Sequence, residues 1–371
     1  MVKRIDSMKK RIEKLRKFLA KENLDAAVVA ILDVGNTADM PGVRWLTGFS
    51  GSTALVFVTR KTATFISDFR YTDQARKEVR GAKVLISTKQ AIKTLQDIKE
   101  AQRKNLRVAV EANRLKIAEK EMLAEAMPQA LLINVKNMIE NIWVVKDGSE
   151  IRALRKAASI SDLAFERILG YLRPGISEKD VAAELEYQMK VLGADKEAFA
   201  TIVASGYRSA MPHGTASAKK LRKGEFITFD FGAMYEGYVA DITRTVVLGK
   251  ATARQKKVYN IVLKAQEAAI KKIRPGIGGK EVDEAARNII TKAGYGKEFG
   301  HGTGHGIGLE VHSGPRLSKI SEDILRTNMV VTVEPGIYIS GWGGVRIEDD
   351  VVVRPGGCLV LNKAPKNLLE I

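Results

Sequence analysis

Apolar residues repeat at two spacings along the first part of the chain, and each spacing predicts a different element. Met8, Ile12, Leu15 and Leu19 recur every three or four residues, which predicts an amphipathic helix over residues 11–21. Short apolar runs predict strands at residues 26–31 and 107–110, and a hairpin formed by residues 53–58 and 62–66. Helices mixed with strands in this way predict an α/β domain.

The alternation of amphipathic stretches with short apolar runs ends near residues 134–145, which are predicted to be a connecting segment. A long helix is then predicted over residues 148–172, with Ser149 as its N-cap. Since 371 residues exceed what one hydrophobic core usually holds, two domains are expected. We predict an N-terminal domain of residues 1–138 and a C-terminal domain of residues 139–371.

The C-terminal part contains an internal repeat. Arg-Pro-Gly-Ile at residues 173–176 recurs at 274–277, and at the same offset Lys179 matches Lys280 and Gly193 matches Gly294. Each Pro-Gly is predicted to end one helix before another begins, and the later glycine to end that second helix. The sequence therefore predicts a duplicated α+β domain with a pseudo-twofold relation between its halves.

Both halves continue into strands that carry acids. Asp230 and Asp241 are equidistant from Tyr235 and Glu236, so a two-residue hairpin turn there would set the two carboxylates directly opposite each other. Like charges in that arrangement repel. One such pair is also compatible with an accident of strand pairing or with a dyad that shares a proton.

The same arrangement recurs in the second half, where Glu334 and Glu348 are equidistant from Gly341. Two acid pairs on two hairpins favour an enclosure for cations, because four carboxylates match the charge of two divalent ions. Three of the four histidines lie in one Gly-rich stretch, FGHGTGHGIGLEVHSGP, and His213 lies in another. Imidazole beside carboxylates favours Mn, Fe, Co or Zn over Ca, and predicts a dinuclear hydrolytic site.

Composition and charge exclude several other classes. The net charge of +18 raises a nucleic-acid hypothesis, but the basic residues alternate with apolar ones as on a solvated helix face, and no nucleic-acid module accompanies them. No apolar run is long enough to span a membrane. The single cysteine, Cys358, cannot form an intramolecular disulfide. We expect a cytoplasmic protein that binds neither nucleic acid nor membrane.

The ordered motifs DFG, ADITRT, GHGIGLEVH, VEPGIYI and GVRIEDDV resemble those of the pita-bread metallopeptidases, which include methionine aminopeptidase, aminopeptidase P and prolidase. WLTGFSGS and SDFRYTDQA resemble the N-terminal domain that aminopeptidase P and prolidase share with creatinase. The resemblance covers essentially the whole chain. It implies a creatinase-like α/β domain followed by a pita-bread α+β catalytic domain.

The resemblance also implies roles for individual residues. Asp230 is expected to bind one metal ion, Asp241 and Glu348 to bridge two, and His305 and Glu334 to complete the second ion's ligands. Glu334 is further expected to move protons, His213 and His312 to contact the substrate and stabilise the tetrahedral intermediate, His301 to lie near a prolyl pocket, and Arg346 to support Glu348. Ser313 replaces the glutamate that relatives usually carry.

The leading functional expectation is an Xaa-Pro aminopeptidase, which releases the N-terminal residue from peptides with proline second. The alternative is a prolidase that hydrolyses Xaa-Pro dipeptides. For a prolidase, Arg316 is a candidate contact to the substrate carboxylate; equally, it is a candidate for a surface residue without a role in the site. A metal-free binding protein on the same fold is a less favoured hypothesis. The expected cofactors are two divalent ions per chain, Mn or Co before Zn or Fe, and the expected assembly is a homodimer.

Overall fold

The computed structural model describes residues 2–31 and 41–371, which form two compact units, Met1–Trp143 and Val144–Ile371. The predicted boundary at 138/139 falls at the start of a short helix, Met138–Trp143. Met138, Ile139 and Trp143 are buried, and the division of the structure leaves the whole helix with the first unit. None of the helices in the described part of the chain combines the length and the apolar composition that a bilayer span requires.

The first unit is a six-stranded mixed sheet with helices. Its helices are α1 (Val2–Lys21), α2 (Pro41–Thr47), α3 (Thr72–Glu78), α4 (Ile117–Ala126) and α5 (Met138–Trp143). Its strands are β1 (Ala26–Ile31), β2 (Ala54–Thr59), β3 (Ala63–Asp68), β4 (Lys83–Ser87), β5 (Arg107–Glu111) and β6 (Leu131–Val135), in the order β4-β3-β2-β1-β5-β6. The predicted strands and the β2–β3 hairpin are confirmed, and the predicted first helix is longer than expected.

The second unit contains two helix pairs, each with its own apolar core. Its helices are α6 (Gly148–Leu169), α7 (Glu178–Val191), α8 (Ala253–Lys272) and α9 (Gly279–Lys292). Its strands are β7 (Lys196–Glu197), β8 (Ile202–Ser205), β9 (Phe226–Phe231), β10 (Ala233–Tyr235), β11 (Tyr238–Val239), β12 (Ile242–Val247), β13 (Gly304–Gly306), β14 (Ser313–Leu317), β15 (Val330–Val333), β16 (Gly336–Ile339), β17 (Gly343–Arg346), β18 (Asp349–Arg354) and β19 (Gly357–Val360).

The predicted repeat is present as two helix pairs followed by strands. α6 and α7 pack over β8, β9 and β12, and α8 and α9 pack over a sheet of order β14-β13-β15-β18-β19. Gly193 and Gly294 have φ of 99° and 91° after α7 and α9, a left-handed conformation that glycine adopts without strain. The predicted cap of α6 was wrong: Asp147, not Ser149, is the N-cap and accepts hydrogen bonds from Ser149 N and Glu150 N.

The first acidic hairpin differs from the prediction by two residues in register. Asp230 pairs with Thr243 rather than with Asp241, because the turn falls at Glu236 and Gly237, which have φ of 50° and 78°. Positive φ at both central residues is the type I′ geometry, for which glycine at the second position is suited. A shift of two keeps both acids on one face of the hairpin, since side chains alternate with period two.

The second acidic hairpin has the predicted register. Val333 pairs with Asp349 on one side of Glu334 and Glu348, and Gly336 pairs with Arg346 on the other. The two pairs have the same register across the hairpin. Gly341 lies at the turn and has a φ of 72°. This alignment places Glu334 opposite Glu348.

Candidate metal centre

The five residues predicted as metal ligands lie in strands or directly beside them, around one cavity of about 540 Å³ in the second unit. Asp230 is in β9, and Asp241 directly precedes β12. His305 is in β13, Glu334 follows β15, and Glu348 directly precedes β18. The strands of both halves therefore bring four carboxylates and one imidazole to a single cavity wall.

The donor atoms of these residues are within reach of a shared ion. His305 Nε2 is 3.3 Å from Glu334 Oε1 and 3.8 Å from Asp241 Oδ2. One donor atom each from Asp241, His305 and Glu348 lie within 4.8 Å of one another. These three side chains are buried, so little solvent separates them.

The electrostatics of the cluster favour a cation. Burial, followed by the charge of Glu348, raises the pKa of Asp241 well above its ordinary value. Burial, followed by the charge of Glu334, does the same for the pKa of Glu348, and burial raises the pKa of Glu334 to about 7. Burial lowers the pKa of His305 to about 3, so its imidazole is neutral at neutral pH and can donate a lone pair to a metal ion.

The residues present fit divalent metal ions. Within residues 41–371, Asp230 Oδ1 is buried and has no hydrogen-bond partner, although a buried carboxylate oxygen normally has one. The nearest protein cation is Arg346, whose Nη2 lies 2.6 Å from Asp230 Oδ2. One guanidinium balances one of four carboxylates, and buried charges left unbalanced are costly. Oxygen donors with one imidazole suit borderline and hard divalent ions.

Arg346 was expected to support Glu348, but it reaches that carboxylate only indirectly. Its Nε donates to Thr243 Oγ1 at 2.9 Å, and Thr243 Oγ1 donates to Glu348 Oε2 at 2.6 Å. The direct partner of the guanidinium is Asp230. Arg346 therefore fixes two acids, one directly and one through a threonine.

Two supporting threonines were missed in the sequence. Besides Thr243, Thr332 Oγ1 donates to Glu334 Oε1 at 3.2 Å and accepts from His305 N at 3.1 Å. Each threonine is two residues from an acid of the cluster, Asp241 or Glu334. Residues two apart on a strand share a face, so this spacing was the available signal.

The three remaining histidines also line the cavity, in different environments. His312 has its ring centroid 4.3 Å from that of His305, and burial followed by the charge of Arg316 lowers its pKa. His301 Nδ1 bonds to Gly302 O at 2.7 Å, and a carbonyl only accepts, so Nδ1 carries the proton. His301 Nε2 then accepts from Tyr338 Oη at 2.8 Å. Both ring nitrogens of His301 are therefore engaged within the protein.

Comparison with known proteins agrees with this geometry. Residues 152–355 match metallopeptidase family M24, and residues 11–145 match the creatinase/prolidase N-terminal domain. The chain belongs to metallopeptidase family M24. It is a hydrolase of that family, whose members use divalent metal ions, and its two-domain creatinase and pita-bread architecture is confirmed.

Several M24 relatives match over nearly their whole length. The chain is 37% identical to the Xaa-Pro dipeptidase of Pyrococcus horikoshii, covering 98% of this chain and 100% of that protein. Among solved structures, an Xaa-Pro dipeptidase from Bacillus anthracis is 41% identical, with a TM-score of 0.91 over 98% of this chain and 100% of that one. An X-Pro aminopeptidase from Thermotoga maritima is 40% identical, with a TM-score of 0.88 over 94% and 98%.

Proposed function

We propose that this M24 metallopeptidase hydrolyses the Xaa-Pro bond of dipeptides. The proposal takes the alternative expectation in place of the leading one, Xaa-Pro aminopeptidase. It is supported by the Xaa-Pro dipeptidases of Pyrococcus horikoshii and Bacillus anthracis, which the chain matches along nearly its full length.

The observation that carries this choice is the position of Arg316. It lies on β14 directly opposite His305 on β13, and cross-strand partners share a face, so both side chains border the cavity. In the described part of the chain, the Arg316 guanidinium has no carboxylate partner. A dipeptide has its free carboxylate one residue beyond the scissile bond, and a guanidinium binds a carboxylate with two parallel hydrogen bonds.

Within this proposal, the chain's own residues hold the ions and the substrate. Asp230 would ligate one ion, Asp241 and Glu348 would bridge two, and His305 and Glu334 would complete the second site. Bound divalent ions supply a Lewis acid for the scissile carbonyl and lower the pKa of an attacking water. Glu334 would carry a proton from the nucleophile to the leaving prolyl nitrogen, and His213 and His312 would donate hydrogen bonds to the substrate.

His301 has a narrower proposed role. Because both of its ring nitrogens are bonded within the protein, it offers the substrate an aromatic wall rather than a hydrogen bond. A flat apolar wall suits the pyrrolidine ring of proline. Tyr338 would then hold that wall in place.

The deciding experiment compares three substrates of the purified, Mn²⁺- or Co²⁺-reconstituted protein: an Xaa-Pro dipeptide, its C-terminal amide and an Xaa-Pro-Yaa tripeptide. We expect the dipeptide to have the highest kcat/KM. Replacing Arg316 by Gln removes a charged hydrogen-bond pair worth about 1.5–3 kcal/mol, so kcat/KM for the dipeptide should fall about 10- to 100-fold. The amide, which lacks the carboxylate, serves as the matched control and should be affected far less.

The aminopeptidase alternative predicts the reverse outcome. It is favoured by the match to the Thermotoga maritima X-Pro aminopeptidase. Preferred cleavage of the tripeptide, with Arg316→Gln equally active on it, would establish that alternative. Absence of about two metal ions per chain after reconstitution would instead favour a binding protein on this fold. The homodimer, the cytoplasmic location and the preference for Mn or Co stay predictions.

A further inference from the structure

The segment that carries His213 is held at both ends by one buried carboxylate, that of Glu178. The segment comprises residues 206–216, and its Pro212 and His213 border the cavity. Glu178 is the first residue of α7 and is fully buried. No catalytic contact accounts for a charged side chain at that position, since Glu178 does not border the cavity.

Among the described residues, every hydrogen bond to the Glu178 carboxylate comes from this segment or from the residues flanking it. The donors are Ser205 N at 2.8 Å and Ser205 Oγ at 2.9 Å to Oε1, and Arg208 Nε at 3.0 Å, Ser217 N at 3.0 Å and Ser217 Oγ at 2.6 Å to Oε2. Ser205 directly precedes the segment, and Ser217 directly follows it. One carboxylate therefore fixes the separation of the segment's two ends.

Arg208 extends this contact into the segment. Its Nη2 donates to Thr215 O at 2.6 Å while its Nε donates to Glu178. Thr215 N in turn donates to His213 O at 3.0 Å. A hydrogen-bonded path thus runs from the Glu178 carboxylate through Arg208 and Thr215 to the backbone of His213.

The second half of the duplicated unit has a counterpart. Asp283, in the first turns of α9, is fully buried, and its Oδ1 accepts from Thr303 N at 3.0 Å and Thr303 Oγ1 at 2.9 Å. Arg287 pairs with Asp283 and donates to Phe299 O at 2.9 Å and His301 O at 2.7 Å. In both halves, a buried acid near the start of the second helix joins an arginine and a hydroxyl residue to a histidine-bearing segment.

We infer that Glu178 and Asp283 are positioning residues, which fix the His213 segment and residues 299–305 at the cavity wall. The inference rests on the proposed role of His213 in substrate hydrolysis. A loop without such contacts samples many backbone conformations, and a displacement of about 1 Å at a reacting group can cost about 10²-fold in rate. Both groups act through the backbone of the segments rather than on the substrate.

The test is Glu178→Gln, which preserves size but turns an amide group toward hydrogen-bond donors. Glu186→Gln, the same change at a partly exposed position on the same helix, is the matched control. We expect kcat on the Xaa-Pro dipeptide to fall about 10- to 100-fold in Glu178→Gln, with metal content unchanged.

In a His213→Ala background, Glu178→Gln should lower kcat no further. An equal fall in both backgrounds would overturn the inference, because a general loss of structure would not depend on His213.

Amide hydrogen exchange gives a readout that does not depend on activity. We expect exchange at residues 206–217 to rise in Glu178→Gln, and exchange at residues 299–305 to rise in Asp283→Asn, with protection of the helices unchanged. Arg208→Lys, at a partly exposed position, should raise exchange at 209–216 even where Glu178→Gln folds poorly. Unchanged exchange in these segments would overturn the positioning role.

Should the wild-type holoenzyme leave Xaa-Pro dipeptides uncleaved, the proposed function fails. The exchange measurements alone then decide whether Glu178 and Asp283 are positioning residues.

Discussion

Glu348 and Asp349 are adjacent and both buried, but their neighbours differ in charge. Asp349 lies beside cationic side chains, whereas Glu348 lies near other carboxylates. Successive side chains on an extended strand point to opposite faces. Asp349 accepts from Arg244 Nη2 at 2.7 Å and Gln266 Nε2 at 2.8 Å, and lies 3.0 Å from Lys366 Nζ. Glu348 borders the cavity, where burial and then the charges of Glu334 and Asp230 raise its pKa.

The difference distinguishes a structural charge from a functional one. The fold supplies two cations for the single carboxylate of Asp349, so that network is complete without a ligand. On the cavity side, Arg346 pairs directly with only one of the four carboxylates, that of Asp230, and the other oxygen of Asp230 has no partner in the described residues. Burying charge is costly unless it is compensated. The uncompensated side is therefore where a cation is expected.

The largest effect is expected from Asp241→Ala, which removes a proposed bridging ligand. Metal catalysis supplies several kcal/mol of transition-state stabilisation, so kcat/KM should fall about 10³-fold or more. The metal-free protein should be no less stable than the wild type, because a repulsive buried carboxylate is lost. Steady-state kinetics at saturating Mn²⁺ and urea unfolding with chelator measure the two effects. Full activity at saturating metal would contradict the bridging role.

Asp349→Asn tests the compensated side of the comparison. It leaves the buried Arg244 without its charged partner, and we expect the free energy of unfolding to fall by about 3–5 kcal/mol. Asp68→Asn, which breaks the partly exposed pair with Arg70, is the matched control and should cost at most about 1 kcal/mol. Urea denaturation compares them. Equal losses in the two variants would contradict a larger stabilising role for the buried Asp349–Arg244 pair.

Acid should destabilise the metal-free protein partly through His301. Burial lowers the pKa of this imidazole to about 4 from an ordinary 6.5. Between these values the unfolded chain binds the proton and the folded chain does not, so stability is lost as the pH falls from 6.5 towards 4. The full loss amounts to roughly 3 kcal/mol, and His301→Gln should lack it. An identical pH dependence of urea unfolding in wild type and variant would refute this assignment.

Metal binding should stabilise the folded protein through the carboxylates that border the cavity, and not through Asp349. At a free Mn²⁺ concentration of 100 times Kd, the gain is about 2.7 kcal/mol, seen as a higher Tm by calorimetry. Asp241→Ala should lose this gain. Asp349→Asn should retain it, although its Tm starts lower. A Tm that responds to Mn²⁺ equally in both variants would place the ions elsewhere.

Local patterning determined much of this protein. The apolar spacing predicted four of the six strands of the first unit, and the Pro-Gly repeat predicted two helix pairs, because periodicity and turn chemistry act over a few residues. The symmetric spacing of Asp230, Asp241, Glu334 and Glu348 also predicted a cation site, whereas the expectation that His305 is a ligand came from the resemblance to the pita-bread metallopeptidases. The Glu334–Glu348 register followed from the symmetric spacing around Gly341.

Only the tertiary structure decided which buried acid has a partner. Asp349 meets Arg244 and Lys366 from distant parts of the chain, and the Glu178 contacts join α7 to residues 205–217. The register of the first hairpin is different, because it depends on a local turn. The turn lies at Glu236 and Gly237 rather than at Tyr235 and Glu236, where equal spacing from Asp230 and Asp241 had predicted it. Hydrogen bonds and ion pairs between distant residues depend on how the elements pack, and such polar contacts leave no periodic signal in the sequence.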